Sequence, residues 1–565
     1  MGKESTRIIA GFRILQKFFR IAQEYQSNMD TRKGGSMAAI NVAQYDIYDF
    51  SLDSDTHHDN PLMVDVLATM EHDSGEKIEN IPGFYNGDGK WVIRFSPTKL
   101  GVWRGQTTSD DPKLCCVELD PIECVENENS EVHGKLQIDP EHPQRFAWED
   151  GDPFVILGFE CDWLFSYHQE KPEECRKHVQ LIKDRGFNYI VMNIYAHKGF
   201  SQPESKGPGD TIPGTVYAPP RMYVFGGTND EPDHTTLDID FFKDYDQMMA
   251  ILHEKGVVAH LMIQVQNKRV RWPKRLSVED DLYWKYVVAR YQAFGNVVWD
   301  IGKESYNLLG ETGSHEYTIN RINLIREMDA YDHLVTVHDS EAGSTGRYSE
   351  ADAVCDFVSD QIHLKDVDRY NREAIRKLRI LPKPYLNIEY GYELGTEDLK
   401  TYRSGTTAPW QDILDWTYAL YIAGAYPGYY YNNTSWDLVK FEPEPEGWKR
   451  YQYLKEVLDS LSFNSMESMN ELVARGYCLA DPGKEYLVYL PEGGNAVIDL
   501  TAVPSDRGPR GQWVAGDTKV SGLWMDTYTG ERVQVEIEPS GWSTSVENPL
   551  EDKSQPCVLV IKAAD

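Results

Sequence analysis

The stretch Asn296-Val-Val-Trp-Asp-Ile-Gly-Lys-Glu304 is a short apolar run that ends on a glutamate. A second run, Pro384-Tyr-Leu-Asn-Ile-Glu389, has the same form. Each run predicts a buried β-strand, and a carboxylate just beyond a buried strand costs desolvation energy unless it is hydrogen-bonded or functional. Glu304 and Glu389 are therefore the first candidates for a functional pair, and the segments around them decide the fold.

Strand patterns alternate with helix patterns across the middle of the chain, which predicts a parallel sheet covered by helices. Eight strands are predicted, over residues 154–159, 189–194, 257–263, 297–301, 334–338, 357–363, 385–389 and 426–431. Helices are predicted between most of them and after the last, including 172–185, 241–255, 281–294, 317–329, 411–423 and 446–461. Eight such units predict an α/β fold of the (β/α)8 TIM-barrel type. A doubly wound sheet is the alternative, but it usually has fewer units, and the sequence has no GxGxxG or P-loop motif.

Short strands are predicted on both sides of this barrel. Before it, alternating segments are separated by the hairpin turns Asn86-Gly87 and Asp88-Gly89, which is typical of a β-sandwich. After it, further short strands predict a second, smaller β-sandwich. The predicted domains are a basic N-terminal extension over 1–36, a β-sandwich over 37–130, the barrel over 131–465 and the small β-sandwich over 466–565.

The N-terminal extension contains a basic amphipathic pattern over residues 5–25, which predicts a helix able to contact a membrane or a partner. The favoured alternative is that Met37 is the natural start and that the preceding residues are an over-long reading frame.

The formal net charge of −33 disfavours nucleic acids and anionic membranes as partners, because both would repel the protein. No apolar run is long enough to span a membrane and no secretory signal is recognised, so a cytoplasmic location is predicted. The eight cysteines form no CxxC pair and no HExxH or other metal-ligand spacing occurs, so no metal or cofactor is indicated. The oligomeric state is left open.

The active site of a TIM barrel lies at the carboxyl ends of its strands. Glu304 follows the predicted fourth strand and Glu389 closes the seventh, so both would face the same mouth. A retaining glycosidase needs two carboxyl groups about 5–5.5 Å apart, and an inverting one needs about 6.5–9.5 Å. Either glutamate alone would fit a structural ion pair equally well, but the two together predict hydrolysis of a glycosidic bond in a carbohydrate.

Polar and aromatic side chains are predicted at the ends of the other strands, where they would suit the hydroxyl groups and apolar faces of a sugar. These candidate substrate-binding residues are Glu160, Asp162, Trp163, Asn193, His197, Gln264, His338, His363, Tyr390 and Trp436. Taken singly, each fits a structural polar group as well. The connection from His197 to Asp238 is long and rich in glycine and proline, which predicts a lid or a binding wall. A serine hydrolase is disfavoured because there is no GxSxG motif.

These strand-end motifs resemble the retaining β-glycosidases of glycoside hydrolase clan A and, more narrowly, a bacterial family of endoglucanase-like or apiosidase-like barrels. The resemblance is carried by Gly83-Phe-Tyr-Asn-Gly-Asp-Gly-Lys-Trp-Val-Ile-Arg-Phe95, Gly101-Val-Trp103, Phe154-Val-Ile-Leu-Gly158, the two glutamate segments, Thr434-Ser-Trp-Asp437 and Gly522-Leu-Trp-Met-Asp-Thr-Tyr-Thr-Gly530. It implies that Glu304 is the acid/base and Glu389 the nucleophile. It also implies an immunoglobulin-like first domain of unknown function and a collagen-binding-like β-domain at the end.

Lys303 departs from the pattern of the clan, which usually has an asparagine directly before the acid/base, where it bonds the 2-hydroxyl of the sugar. A cation beside a general acid would favour its ionised form, which cannot donate a proton. Three explanations stay open: Lys303 points away, it meets an acidic sugar, or the barrel binds carbohydrate without catalysis. The sugar, its linkage and the choice between endo and exo action are not given by the sequence.

Overall fold

The computed structural model describes residues 38–197, 217–308, 314–340, 354–380, 382–397, 406–435, 437–501, 520–540 and 543–563. The predictions for residues 1–36 and for Met37 lie outside these ranges. The chain divides into two compact units, 1–40 and 41–565, and the elements below belong to the second, apart from the first residue of β1. Of the helices in the described ranges, none is long and apolar enough to cross a membrane.

The first part of the chain is an N-terminal β domain. Its strands are β1 (Ile40–Ala43), β2 (Tyr48–Asp53), β3 (Val66–His72), β4 (Lys77–Pro82), β5 (Phe84–Tyr85), β6 (Lys90–Phe95), β7 (Gly101–Ser109) and β8 (Glu118–Val125), with a short 3-10 helix at Pro61–Met63. One sheet has the order β1-β8-β7-β3-β4 and the other β2-β6-β5. The predicted turn at 86–89 is confirmed: it joins β5 to antiparallel β6, with Gly87 and Gly89 at the positive φ that such turns require.

A small antiparallel sheet precedes the barrel. It consists of β9 (Leu136–Ile138), β10 (Phe146–Trp148) and β11 (Pro153–Phe154). The prediction of a single strand over 154–159 is therefore wrong in its first half, because Phe154 pairs with Phe146 in this sheet. The boundary between β11 and barrel strand 1 is not visible in the sequence, because buried residues of a hairpin and buried residues of a barrel strand are of the same apolar types.

Parallel strands form a nearly closed barrel, as predicted. The strands of this region are β12 (Gly158–Glu160), β13 (Tyr189–Asn193), β14 (Phe225–Gly227), β15 (Pro232–Leu237), β16 (Val258–Val265), β17 (Val297–Lys303), β18 (Val335–Thr336), β19 (His338–Ser340), β20 (Val358–Gln361), β21 (Tyr385–Asn387), β22 (Tyr392–Glu393), β23 (Thr407–Ala408) and β24 (Tyr426–Tyr431). Barrel strands 1 to 8 are β12, β13, β16, β17, β18 with β19, β20, β21 and β24, in that spatial order.

The barrel closes where strand 1 pairs with strand 8. Gly158 lies opposite Gly428 in this pairing. A Cβ atom on Gly158 would lie 3.3 Å from the Cα of Gly428, so two glycines allow the strands to approach this closely.

Helices cover the outside of the barrel. They are α1 (Leu164–Glu170), α2 (Pro172–Asp184), α3 (Ile239–Glu254), α4 (Val278–Tyr291), α5 (Ser314–Met328), α6 (Val367–Ile380), α7 (Trp410–Ile422) and α8 (Tyr451–Asp459). Short 3-10 helices occur at Ser305–Leu308, Asn432–Thr434, Trp448–Arg450, Phe463–Ser465 and Asn470–Leu472. The six predicted helices are confirmed with small changes at their ends, and α1 and α6 are additions. Asp238 and Ser277 begin α3 and α4 by accepting hydrogen bonds from backbone N–H groups of the first turn.

The long second connection contains secondary structure in its described part. Strands β14 and β15 form an antiparallel hairpin that leads into α3. Residues 198–216 of the predicted lid lie outside the described residues.

The chain ends in a second β domain. Its strands are β25 (Glu467–Ser468), β26 (Tyr477–Asp481), β27 (Glu485–Leu490), β28 (Ala496–Ile498), β29 (Val520–Asp526), β30 (Arg532–Ile537), β31 (Thr544–Val546) and β32 (Cys557–Lys562). The larger sheet has the order β25-β26-β27-β32-β29-β30, and β28 pairs with β31. Buried side chains around Trp524 form a separate core for this domain.

A buried hydrogen-bonded chain crosses the inside of the barrel below its mouth. The hydroxyl of Tyr189 lies 2.7 Å from Nδ1 of His260, and Nε2 of His260 lies 2.7 Å from Oδ2 of Asp300. The other oxygen of Asp300 accepts hydrogen bonds from the backbone N–H groups of Gly302 and His338. This chain links barrel strands 2 to 5 just below the position of Glu304.

Candidate active site

Lys303 ends barrel strand 4 and crosses the mouth of the barrel toward strands 1 and 8. Its ammonium nitrogen lies 2.5 Å from Oε1 of Glu160 and 3.1 Å from Oδ1 of Asp162. It also donates a hydrogen bond of 3.3 Å to the hydroxyl of Tyr430. Lys303 is only 1% exposed. The explanation that Lys303 points away from the site is therefore wrong, because buried carboxylates on the opposite side attract it inward.

The charges around Lys303 determine its protonation. Burial alone would lower its pKa, but four surrounding carboxylates together raise the pKa of Lys303 well above its ordinary value. In decreasing order of effect they belong to Asp162, Glu160, Glu389 and Glu304. The two predicted glutamates therefore both raise the pKa of Lys303, and its ammonium group stays charged.

Glu160 has the opposite response to burial. It is fully buried at the end of strand 1, and burial raises the pKa of its carboxyl group well above the ordinary value. The ammonium of Lys303 opposes this shift, whereas the neighbouring Asp162 increases it. The charge of Lys303 is therefore not enough to bring the pKa of the buried Glu160 back to its ordinary value.

Glu389 follows strand 7, and its two oxygens have different surroundings. Oε1 accepts hydrogen bonds from Nε2 of Gln361 at 2.7 Å and from the hydroxyl of Tyr392 at 2.6 Å. Nε2 of His363 lies 3.5 Å from the same oxygen. Oε2 accepts no hydrogen bond from the described residues and lies 3.9 Å from the ammonium of Lys303. One oxygen is therefore held in place while the other is available for a reaction.

Glu389 is ionised in this environment. Burial would raise its pKa, but the close contact with His363 and the charge of Lys303 hold the pKa of Glu389 well below its ordinary value. An ionised carboxylate with a fixed orientation and one oxygen without a hydrogen bond has the properties of a nucleophile.

Glu304 stands in a left-handed backbone conformation, with a φ of +54°. This conformation is uncommon for residues other than glycine, and strained backbone is concentrated at functional sites. The side chain of Asn307, in the 3-10 helix that follows, donates to the backbone carbonyl and to Oε2 of Glu304, both at 3.1 Å. Glu304 therefore sits at a sharp bend between strand 4 and that helix.

The comparisons with known proteins give the family. A family model described as the apiosidase-like catalytic domain matches residues 141–477. The chain belongs to the apiosidase-like family. A model of a domain of unknown function, DUF5060, matches residues 41–110 in the N-terminal β domain. No curated protein matches the chain.

Solved structures with the same fold are glycoside hydrolases by description. One is a Bacteroides vulgatus protein assigned provisionally as a glycoside hydrolase, 20% identical, with a TM-score of 0.73; the match covers 93% of this chain and 100% of that one. Another is a family 5 glycoside hydrolase from Bacteroides vulgatus, 17% identical, with a TM-score of 0.54; the match covers 76% and 94% of the two chains. At these identities the similarity shows the fold alone. The predicted resemblance to a glycoside hydrolase barrel is confirmed.

Several predicted residues of this apiosidase-like barrel come together around Lys303 and the two glutamates. Glu160 and Asp162 bind Lys303, and His363 contacts Glu389. Nε2 of His338 lies 3.2 Å from Oε1 of Gln361, the residue that donates to Glu389. Burial and the charge of Lys303 lower the pKa of His338, so its imidazole is neutral at pH 7.

Trp163 and Asn193 are fully buried next to this group. The backbone N–H of Asn193 donates to the carbonyl of Asp162, which places Asn193 beside the end of strand 1. The indole N–H of Trp163 and both amide atoms of Asn193 have no hydrogen-bond partner among the described residues. Buried polar atoms without partners are costly in free energy, so these atoms need hydrogen bonds that the described residues do not supply. His197 is half-buried, with its ring centroid 6.1 Å from that of Tyr223.

The apiosidase-like barrel does not bring Gln264 and Tyr390 to this group. The amide of Gln264 bonds to Asp280 and Tyr317 on the covering helices. The hydroxyl of Tyr390 bonds to Thr417 and Tyr451, also on covering helices. Both predictions followed from strand-end position alone, which does not say to which side of the sheet a side chain points. Trp436 lies outside the described residues.

Among the described residues of the site, Gln361, Tyr392 and Tyr430 contact Glu389 or Lys303 directly and were not predicted to bind substrate. Gln361 precedes His363 by two positions, and period-two spacing in a strand places both side chains on the same face. That spacing was the available signal. Tyr392 lies beyond strand 7 and Tyr430 within strand 8, and nothing in their local sequence separates them from the many buried tyrosines.

A second buried lysine, Lys268, interacts electrostatically with the charged residues of the site. Burial lowers its pKa, while the charges of Asp162 and Glu304 oppose that change. The site therefore contains two lysines among several carboxyl groups.

Proposed function

We propose that this chain is a retaining glycoside hydrolase that cleaves a β-linked oligo- or polysaccharide, with Glu389 as nucleophile and Glu304 as acid/base. The observation that carries the proposal is the asymmetry of Glu389: Oε1 is held by Gln361 and Tyr392, and Oε2 accepts no hydrogen bond from the part of the chain that the structure describes. A covalent mechanism requires such an oriented and ionised oxygen.

The reaction would proceed in two steps. In the first, Oε2 of Glu389 attacks the anomeric carbon, the bond to the leaving oxygen breaks, and Glu304 donates a proton to that oxygen. In the second, Glu304 takes a proton from water, the water oxygen attacks the anomeric carbon, and Glu389 leaves as a carboxylate. The configuration at the anomeric carbon is retained because two inversions occur.

The substitution Glu389→Gln tests the nucleophile. It keeps the shape of the side chain and its acceptor oxygen but removes the charge, so turnover of aryl β-glycosides should fall by at least about a thousandfold. Gln361→Ala is the matched control, because it removes one bond to Oε1 and leaves the carboxylate, and it should retain measurable activity. The substrate panel should include apiosides, which the family description suggests, and neutral β-glucans.

Full activity of Glu389→Gln with an unchanged fold would contradict the proposal. The stereochemistry of the first product, followed by NMR, separates retention from inversion: a product of inverted configuration would exclude Glu389 as a covalent nucleophile.

A second candidate function is binding of a carbohydrate without catalysis. It is favoured by Lys303, which stands in the mouth where the clan usually has an asparagine. Calorimetric titration of the same glycans onto the wild-type protein tests it. Binding together with no turnover of any substrate by the wild type would support this candidate over hydrolysis.

The types and the boundaries of the three domains are a separate proposal. We infer that the N-terminal β domain is an immunoglobulin-like sandwich over 37–130, that the barrel domain occupies 131–465, and that a small collagen-binding-like β-sandwich occupies 466–565. The support is the arrangement of β1 to β8 in two sheets and the separate core around Trp524. Limited proteolysis that releases fragments with ends near residues 130 and 466 would support these boundaries, whereas cleavage within the sheets would contradict them.

A further inference from the structure

We propose that Lys303 is a positioning residue that keeps a fixed positive charge beside the attacking oxygen of Glu389, and that Glu160 and Asp162 hold its ammonium group there. This inference rests on the proposed function, because it assigns Lys303 a role in the same two-step reaction.

The hydrogen bonds of Lys303 fix its position. An ammonium group has three N–H donors. Glu160, Asp162 and the hydroxyl of Tyr430 accept from this group at 2.5, 3.1 and 3.3 Å. The three bonds come from strands 1 and 8, opposite the strand that carries Lys303. No donor is therefore left for the hydroxyl groups of a sugar, and Lys303 cannot take over the hydrogen bond that an asparagine would make.

The contact between Lys303 and Glu389 is electrostatic. The nitrogen lies 3.9 Å from Oε2, beyond hydrogen-bonding distance. Two opposite charges at this distance still attract each other inside a protein, because buried charges are screened less than charges in water. Lys303 is thus close enough to stabilise the carboxylate and leaves Oε2 free to form a bond.

Other titratable groups also face Glu389. His363 after strand 6, His338 in strand 5 and the hydroxyl of Tyr392 lie on one side, and Glu160 of strand 1 acts from the other. Burial and the charge of Lys303 lower the pKa of His338, so its imidazole carries no charge at neutral pH. Lys303 is kept as a cation by the carboxylates around it, which raise its pKa well above the ordinary value.

A fixed cation beside the nucleophile affects the two chemical steps in opposite directions. It stabilises the carboxylate relative to the glycosyl ester, so Glu389 is a weaker nucleophile in the first step. In the second step the electron pair of the ester bond returns to Oε2, and the cation stabilises that leaving carboxylate. The same charge keeps Glu389 ionised at low pH. Lys303 would therefore favour breakdown of the intermediate and extend activity toward acid.

The test compares wild type with Lys303→Met, which has a similar length and no charge. The acidic limb of the kcat/KM profile on an activated aryl glycoside should move to a pH about one to two higher, as expected when a nearby opposite charge is removed. The glycosyl-enzyme intermediate, detected by mass spectrometry after rapid quenching, should accumulate. Lys303→Arg, which keeps the charge, should retain the acidic limb of the wild type.

Loss of the cation leaves Glu160 and Asp162 buried without a counter-charge, so Lys303→Met can fail to fold. The double variant Lys303→Met with Glu160→Gln removes the cation together with one of the buried carboxyl groups that bind it, and provides the folded comparison. A folded variant without the cation but with the wild-type acidic limb and no accumulated intermediate would overturn the inference.

A wrong assignment of the proposed function can be distinguished from a wrong assignment of Lys303. If the wild type hydrolyses nothing, the charge on Glu389 is still measurable by carbon-13 NMR of labelled glutamate, with Glu389→Gln used for assignment. A titration midpoint of Glu389 that is higher without Lys303 supports the inference in the absence of turnover. An unchanged midpoint overturns it.

Discussion

At the scale of single residues, the site combines predictable and unpredictable features. Glu304 and Glu389 were predictable because a carboxylate beyond a buried strand costs desolvation energy unless it is hydrogen-bonded or functional. The direction of Lys303 was not predictable, because it depends on the carboxylates of Glu160 and Asp162, which lie more than a hundred positions earlier in the chain. Adjacent residues in an extended strand would point to opposite faces, but Glu304 has left the strand at a φ of +54°. Local sequence patterns do not reveal such a bend.

The bend at Glu304 leads to a prediction about strain. Glycine adopts positive φ without steric cost, whereas alanine does not. Glu304→Gly should therefore be more stable than Glu304→Ala by about 1 kcal/mol, although glycine usually lowers stability relative to alanine. Urea denaturation of the two variants measures the difference. Both should lose turnover of unactivated glycosides, and azide should restore part of the activity on aryl glycosides, because it attacks the glycosyl-enzyme intermediate in place of water and needs no general base. Equal stability, or greater stability of the alanine variant, would show that the bend is not strained.

At the scale of elements, strands were predicted better than their boundaries. Fully buried parallel strands are nearly continuous apolar runs, so all eight barrel strands stand out in the sequence. The same property hides where one strand ends, which is why residues 154–159 appeared as one strand although Phe154 belongs to β11. Strand 5 divides into β18 and β19, and its carboxyl end is held to strand 4 by Asp300. A buried aspartate of this kind cannot be assigned to a role before its partners are known.

Asp300 offers a test of how the ends of strands 4 and 5 are held. Asp300→Ala removes the acceptor for the N–H groups of Gly302 and His338 and should destabilise the protein by about 2–4 kcal/mol. Asp300→Asn keeps an acceptor oxygen, and its NH2 group can donate to His260 if that imidazole changes tautomer and donates to Tyr189. The asparagine variant should therefore lose much less stability in urea denaturation. Equal losses in the two variants would exclude a role for the retained acceptor.

At the scale of the whole molecule, buried polar contacts join the barrel to both flanking domains. Arg94 of β6 and Arg290 of α4 both form paired hydrogen bonds with Asp246 of α3. On the other side, Asp415 of α7 accepts hydrogen bonds from the hydroxyls of Tyr489 and Tyr528 in the C-terminal β domain, at 2.8 and 2.9 Å. The ring of Tyr418 stacks on that of Tyr489, with centroids 5.1 Å apart. The sequence predicted the domains but gave no signal for these contacts, because each joins residues far apart in the chain.

Asp415 makes the attachment of the C-terminal β domain sensitive to pH. Burial raises its pKa to about 6, only partly opposed by the two tyrosine hydroxyls. This pKa lies above the value of about 4 expected in the unfolded chain, so folding favours the protonated form of Asp415. The stabilising contribution of protonated Asp415 is complete below a pH of about 4. The contribution is lost as the pH rises through about 6, at a cost on the order of 3 kcal/mol.

Asp415→Asn isolates this effect, because asparagine stays neutral and can still accept from Tyr489. Relative to wild type, the variant should gain stability between pH 4 and pH 8 and should be the more stable protein at pH 8. Glu393, whose pKa burial raises to about 7, changes the stability of both proteins equally and cancels in the difference. Hydrogen exchange of β27, measured at several pH values, reports opening of the C-terminal β domain separately from the barrel. If the difference between the two proteins does not change with pH, the pKa of Asp415 is the same in the folded and the unfolded chain, and its burial does not control the attachment.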